Sequence, residues 1–231
     1  MQKAIVKVHG VAFAALLMAA NAMADVKAWN GGAFGDWDVA GNWEPAGVPT
    51  AADAVTIGSG MVTVSNVTVS VGSLSLETGA TLTVYAEEVD NSEDPKTFAG
   101  DGAVVNVAGD LVLRSGAWIV PVAEPVSGGT VRFNVGGDVS IAEGGGFNAT
   151  GKGWACPYGP GFYGTTGWSD GHSGSYGGLG RIAWGSVPAG KTYGYLFAPF
   201  LPGSPGRNSG SPATIAASTG GRGGGAIRLH V

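Results

Sequence analysis

Few residues in this sequence have both the type and the spacing that chemistry needs. Asp110 and Asp138 hold matching places in two similar nine-residue stretches, so they are expected to lie one above the other along one edge of the fold. Stacked carboxylates can share a proton, hold Ca²⁺ or act as an acid and base pair. The competing role is structural: an aspartate in a tight turn accepts backbone N–H groups. Ser73 occupies the third equivalent position, and serine caps turns but is a poor acid. The turn role is therefore favoured, with Asp110 and Asp138 kept as a candidate acidic edge.

Trp29, Trp37 and Trp43 form a second candidate set. Indole faces suit pyranose rings, which makes the three a candidate carbohydrate-binding platform. Stacked repeats also need a cover over their first unit, and that role is favoured here.

Other groupings carry less. Asp170, His172 and Ser173 supply the residue types of a nucleophile triad. Triads are set by geometry, and neighbours on an extended chain seldom face one another. No catalytic residue is assigned, and the sequence favours a protein that is not an enzyme. Glu87, Glu88, Asp90, Glu93 and Asp94 lack the one-three-five spacing and central glycine of a Ca²⁺ loop, so they read as a solvated loop. The stretch 159–164 matches G-x-G-x-x-G in letters, without a strand before it or a helix after it. His230, in the final strand, reads as a surface residue. No metal and no cofactor is expected.

The elements that must position these residues are strands. Val55, Ile57, Val62, Val64, Val67, Val69, Val71, Leu74, Leu76, Leu82 and Val84 alternate with small or polar residues, and no stretch after the first 24 residues reads as a helix. Gly72-Ser73-Leu74-Ser75-Leu76-Glu77-Thr78-Gly79-Ala80 is echoed by Gly109–Ala117 and again by Gly137–Gly145. Val105-Asn106-Val107-Ala108 is matched by Phe133-Asn134-Val135-Gly136. Repetition at 20–50 residues signals stacked units that cannot bury their apolar faces alone. The fold expected is all-β, a parallel β-helix with inward Val, Leu and Ile and with glycine at its corners. An antiparallel β-sandwich is the rival.

From Gly144 to Gly225 the chain holds 25 glycines in 82 residues, interleaved with large aromatics. Glycine alone would suggest a flexible linker. Aromatics that each bury roughly 150–250 Å² suggest an ordered excursion packed on the side of the stack. The expected organisation is a single domain over 25–231. It comprises a cap and first coil (25–57), repeated coils (58–143), the glycine- and aromatic-rich excursion (144–225) and a last strand (226–231). That last strand stops in mid-pattern, so this end is expected either to continue in a longer protein or to meet a partner.

Residues 1–24 read as a signal peptide. Lys3 and Lys7 precede a short apolar run, and Ala22-Met23-Ala24 supplies the small-x-small pattern. The expected new N-terminus is Asp25, with cleavage after Ala22 as the rival. No later apolar run is long enough to span a bilayer as a helix. The chain carries a net −5, which becomes −7 when Lys3 and Lys7 leave with the leader. Nucleic acid is not an expected partner, since binding it needs clustered Lys and Arg. Cys156 is the only cysteine, so no disulfide forms within one chain, and burial beside Trp154 is favoured over pairing with another chain.

Two stretches carry a resemblance. Trp29-Asn30-Gly31-Gly32, Trp37, Asn42-Trp43, Gly47-Val48-Pro49, Asp53 and Ile57 resemble the opening repeat of bacterial secreted proteins with autotransporter-passenger-like β-helices. Ser173–Gly178, Tyr193-Gly194, Pro202–Ser204 and Gly223–Leu229 are similar to glycine-rich segments of large bacterial surface β-helix proteins. The resemblance implies export to the cell surface or medium, a right-handed parallel β-helix and an adhesin-like structural role without catalytic residues. The alternative is a carbohydrate-binding module, or a polysaccharide lyase or hydrolase, on the same fold. The partners expected are a surface glycan, or another copy of a β-helix at the open C-terminal end.

Overall fold

The computed structural model describes residues 24–65, 67–90, 101–162, 174–180, 191–194, 199–206 and 220–231. Alternation of apolar and polar residues yields short strands, and their order explains the repeats. Strands β1 (Val26–Trp29), β2 (Phe34–Asp36) and β3 (Trp43–Glu44) come first, with a single 3₁₀ turn at Ala40–Asn42 between the last two. Four circuits of three strands follow. They are β4 (Ala54–Ile57), β5 (Gly60–Val64) and β6 (Thr68–Val71); then β7 (Ser73–Leu76), β8 (Ala80–Tyr85) and β9 (Asp101–Val107). After these come β10 (Leu111–Leu113), β11 (Trp118–Val122) and β12 (Thr130–Val135); then β13 (Val139–Ile141), β14 (Gly146–Phe147) and β15 (Arg228–His230).

Each circuit adds one strand to each of three sheets. The first sheet runs β3-β1-β4-β7-β10-β13, the second β2-β5-β8-β11-β14 and the third β6-β9-β12-β15. All pairings are parallel apart from β1 with β3. The described residues are therefore all-β in three mostly parallel sheets, and an antiparallel sandwich does not account for them.

Register turns the repeats into columns. Val55, Leu74, Leu111 and Val139 lie opposite one another along the first sheet, and Val62, Leu82, Ile119 and Phe147 along the second. Val69, Val105, Phe133 and Leu229 form the column of the third. The columns meet in one core in which Leu74, Leu111, Ile119 and Phe133 are fully buried. Each such side chain contributes about 2 kcal/mol of apolar burial. Val67 departs from the alternation because it precedes β6 at a corner, and it is exposed.

The corners are glycine for two different reasons. Glu77–Ala80, Arg114–Ala117 and Ala142–Gly145 are turns closed by an N–H to C=O bond of 3.0 Å from the fourth residue to the first. Their third residues, Gly79, Gly116 and Gly144, have φ of +82°, +73° and +81°, a region that disfavours a side chain. At the corner from the third sheet to the first, close approach decides. A Cβ on Gly109 would sit 2.9 Å from the carbonyl oxygen of Gly72, to which the Gly109 N–H donates.

At the start of the stack Lys27 takes an inward position opposite Val55, yet it is buried. Its ammonium donates to the carbonyl oxygen of Pro45 at 3.0 Å and lies 3.9 Å from Asp25. Asp53 is also buried; its carboxylate accepts the N–H and hydroxyl of Thr50 and the N–H of Asp25. Burial alone would raise its pKa. Those hydrogen bonds, with the charge of Lys27, outweigh burial and hold it below the ordinary aspartate value.

The glycine-rich region leaves the stack after Phe147, later than the Gly144 read from the sequence, because Gly146 and Phe147 pair with β11 as β14. Its described parts are extended segments lying backbone to backbone. Gly153 N–H donates to Gly223, Gly223 N–H to Trp154 and Gly203 N–H to Gly224. No Cβ fits at Gly223, where one would be 1.8 Å from the Gly203 carbonyl oxygen. Tyr193 anchors the layer by donating to the carbonyl oxygen of Pro202 at 2.7 Å and accepting from Ser204 at 2.9 Å. Burial pushes its pKa up to about 12, with the Ser204 hydrogen bond acting against the shift. Arg222 fixes the returning chain to the carbonyl oxygens of Ala123 and Gly153. Cys156 is buried and free.

Candidate functional site

The three tryptophans close the start of the stack. Trp43 lies between Trp29 and Trp37, edge-to-face with each, at centroid distances of 5.2 and 4.8 Å. Its indole N–H donates to the carbonyl oxygen of Trp37 at 2.7 Å. Trp37 and Trp43 are 2% and 1% exposed, so neither offers an indole face to a sugar. Trp29 is half-buried, with its N–H held by the carbonyl oxygen of Gly32.

Asp110 and Asp138 do stack at one corner, and both are exposed. The Asp110 carboxylate accepts the backbone N–H of Asp138 at 2.9 Å, which is a turn contact from one circuit to the next. Asp170, His172 and Ser173 lie outside the described residues, as do Glu93 and Asp94. Glu87, Glu88 and Asp90 are exposed beyond the end of β8. Gly161 meets the Ser175 backbone so closely that a Cβ would sit 2.1 Å from its carbonyl oxygen, a packing role unrelated to phosphate. Among the described residues no group of three or more His, Cys, Asp or Glu could hold a metal ion.

The most developed polar surface lies on the outer face of the third sheet, where two columns run along the stack. One consists of Ser70, Asn106, Asn134 and His230, in register on β6, β9, β12 and β15. Asn134 Nδ2 donates to Asn106 Oδ1 at 2.8 Å, and Asn106 Nδ2 donates to Ser70 Oγ at 3.2 Å. Adjacent strands are about 4.8 Å apart, which suits a ladder of side-chain amides. The second column includes Arg132 and Arg228. Asp101 lies between their guanidinium groups, 3.0 Å from Arg132 Nε and also paired with Arg228. Arg228 in turn lies over the Phe200 ring, 5.4 Å from its centroid.

Beside the amide column lies an open groove of about 510 Å³, lined by the column itself together with Ala51, Ala108, Gly136 and Val231. Its lining is amphipathic, with amide and imidazole groups beside methyl groups and backbone, and it includes no Lys, Arg, Asp or Glu. The sequence reading missed this site. Its signal was the asparagine shared by the two lead-ins, Asn106 and Asn134.

No family model, curated protein or solved structure matches the chain. The site is therefore read from its own geometry. Among the described residues, no helix is long and apolar enough to cross a membrane.

Proposed function

We propose that the chain is an exported, non-catalytic structural module of a bacterial surface, adhesin-like in role and built as a right-handed parallel β-helix. The observation that carries this reading is register. Strands visit three sheets in rotation, and equivalent residues of successive circuits stand opposite one another from β4 to β15. Such a stack makes a stiff rod whose outer faces repeat at the strand spacing. The candidate acidic edge supports a scaffold as well, because the Asp110 carboxylate is engaged by a backbone N–H of the next circuit.

Export and inertness are tested together. Expressed with residues 1–24 in a bacterial host, the protein is expected outside the cytoplasm with Asp25 as its first residue. The purified product is expected to release no new sugar ends from plant, algal or microbial polysaccharides. Release that disappears in Asp110→Ala or Asp138→Ala would make this an enzyme. Retention of the leader on a cytoplasmic product would remove the export.

A further inference from the structure

We propose that the groove beside the Ser70, Asn106, Asn134 and His230 column binds an extended, uncharged glycan chain lying along the stack. This rests on the surface-module reading above and gives that module its ligand.

The amide ladder leaves hydrogen-bonding capacity unused. A primary amide has two N–H donors and an oxygen that accepts twice. Asn106 spends one donor on Ser70 and one acceptor site on Asn134, while Asn134 spends a single donor. Each amide thus keeps at least one donor and one acceptor, the pair that a sugar hydroxyl complements by accepting and donating together. His230 continues the column. Both asparagines are half-buried, so their side chains are already held by the ladder and lose little freedom on binding.

The rest of the lining suits the other character of a pyranose. Ala51 and Ala108 supply methyl groups for the C–H faces of a ring, and Gly136 packs too closely on the Ala108 carbonyl oxygen to carry a Cβ. The column repeats once per strand spacing, about 4.8 Å, a distance of the same order as the advance per residue of an extended glycan. Successive sugars can therefore meet successive amides. Charge excludes an acidic glycan as the preferred ligand: the groove lining contains no Lys or Arg, and the nearby Arg132 guanidinium is already paired with Asp101.

The test is affinity electrophoresis of the whole exported chain in native gels. The gels would contain hydroxyethylcellulose, laminarin, galactomannan or dextran, with polygalacturonate as the acidic comparison. Two variants probe the groove: Asn106→Leu with Asn134→Leu removes the ladder, and Ala108→Trp fills the groove while leaving the ladder intact. Circular dichroism checks that each is folded. At least one neutral polysaccharide is expected to retard the parent, and each variant is expected to bind about tenfold more weakly, the worth of one or two net hydrogen bonds. Asp138→Ala, at the corner, is expected to bind as the parent does. Absence of retardation overturns the proposal. So does retardation that survives both variants, or retention by polygalacturonate alone. New sugar ends released in the same gels would instead sink the non-catalytic reading, so the two failures are told apart.

Discussion

The carboxylate of Asp110 accepts the backbone N–H of Asp138 at 2.9 Å, from one circuit to the next and in that direction only. Two aspartates at equivalent positions are thus unequal. Asp110→Ala strips an acceptor from a backbone donor and is expected to lower stability by about 1 kcal/mol. Asp138→Ala removes a side chain whose carboxylate makes no comparable contact, and is expected to fall within about 0.5 kcal/mol of the parent. Urea denaturation of the two variants checks the asymmetry; equal losses would contradict it.

The two kinds of corner respond differently to alanine. Gly116 has φ of +73° and nothing nearer than 3.8 Å to an added Cβ, so Gly116→Ala is expected to cost only the backbone term, about 1–2 kcal/mol. Gly109→Ala instead forces a Cβ to within 2.9 Å of a backbone oxygen. The adjoining circuits must separate there, so the loss is expected to be larger. Thermal denaturation of the pair ranks them.

Acid should loosen the start of the stack through Asp53. A carboxylate whose pKa is lower folded than unfolded stabilises the fold above its unfolded pKa, and that contribution is lost as pH falls through the folded value. The parent should hold this increment at neutral pH and lose it below about pH 4. Asp53→Asn is expected to be about 2 kcal/mol less stable at neutral pH, with a flatter acid limb. Tryptophan fluorescence reports it, since Trp29, Trp37 and Trp43 cover the same end. An unchanged acid limb in the variant would rule Asp53 out.

Alkali acts in the glycine-rich region. Tyr193 ionises at about 12 folded and near 10 unfolded. Its contribution is complete below about pH 10 and is lost as pH rises from there through the folded value. Tyr193→Phe is expected to cost about 1 kcal/mol at neutral pH, through the lost bonds to Pro202 and Ser204. The same variant is expected to abolish part of the alkaline loss. Stability measured by urea at neutral pH and above pH 10 gives both numbers.

Much of the stack was legible in the letters. Leu74, Leu111 and Val139 were aligned by the three echoed nine-residue stretches, and they stand in register on β7, β10 and β13. The glycine of each echoed turn marked a positive φ that only the turn requires. Lys27 was not legible, because an inward lysine contradicts alternation unless a distant carbonyl such as that of Pro45 receives it. The outer face of the third sheet was half legible. Asn106 and Asn134 matched as letters, but Ser70 and His230 differ from them in type, although Ser70 stands between Val69 and Val71 as Asn106 stands between Val105 and Val107. Asp101 and Arg228 meet although 127 residues apart, a pairing that local pattern cannot supply. Grooves depend on what lies beside a strand, whereas periodicity reports only what lies along it.

The strand that completes the third sheet is recruited from far downstream, because β15 pairs with β12 only after the whole glycine-rich region has intervened. Closing that loop of roughly a hundred residues costs about 1 kcal/mol more chain entropy than closing the 28-residue step from Asn106 to Asn134. During folding, the earlier strands can therefore zip together while β15 is still searching. We expect amide exchange at Arg228–His230 to be less protected than at Val131–Val135. If so, the far end of the groove is the last part of the molecule to form and the first to fray.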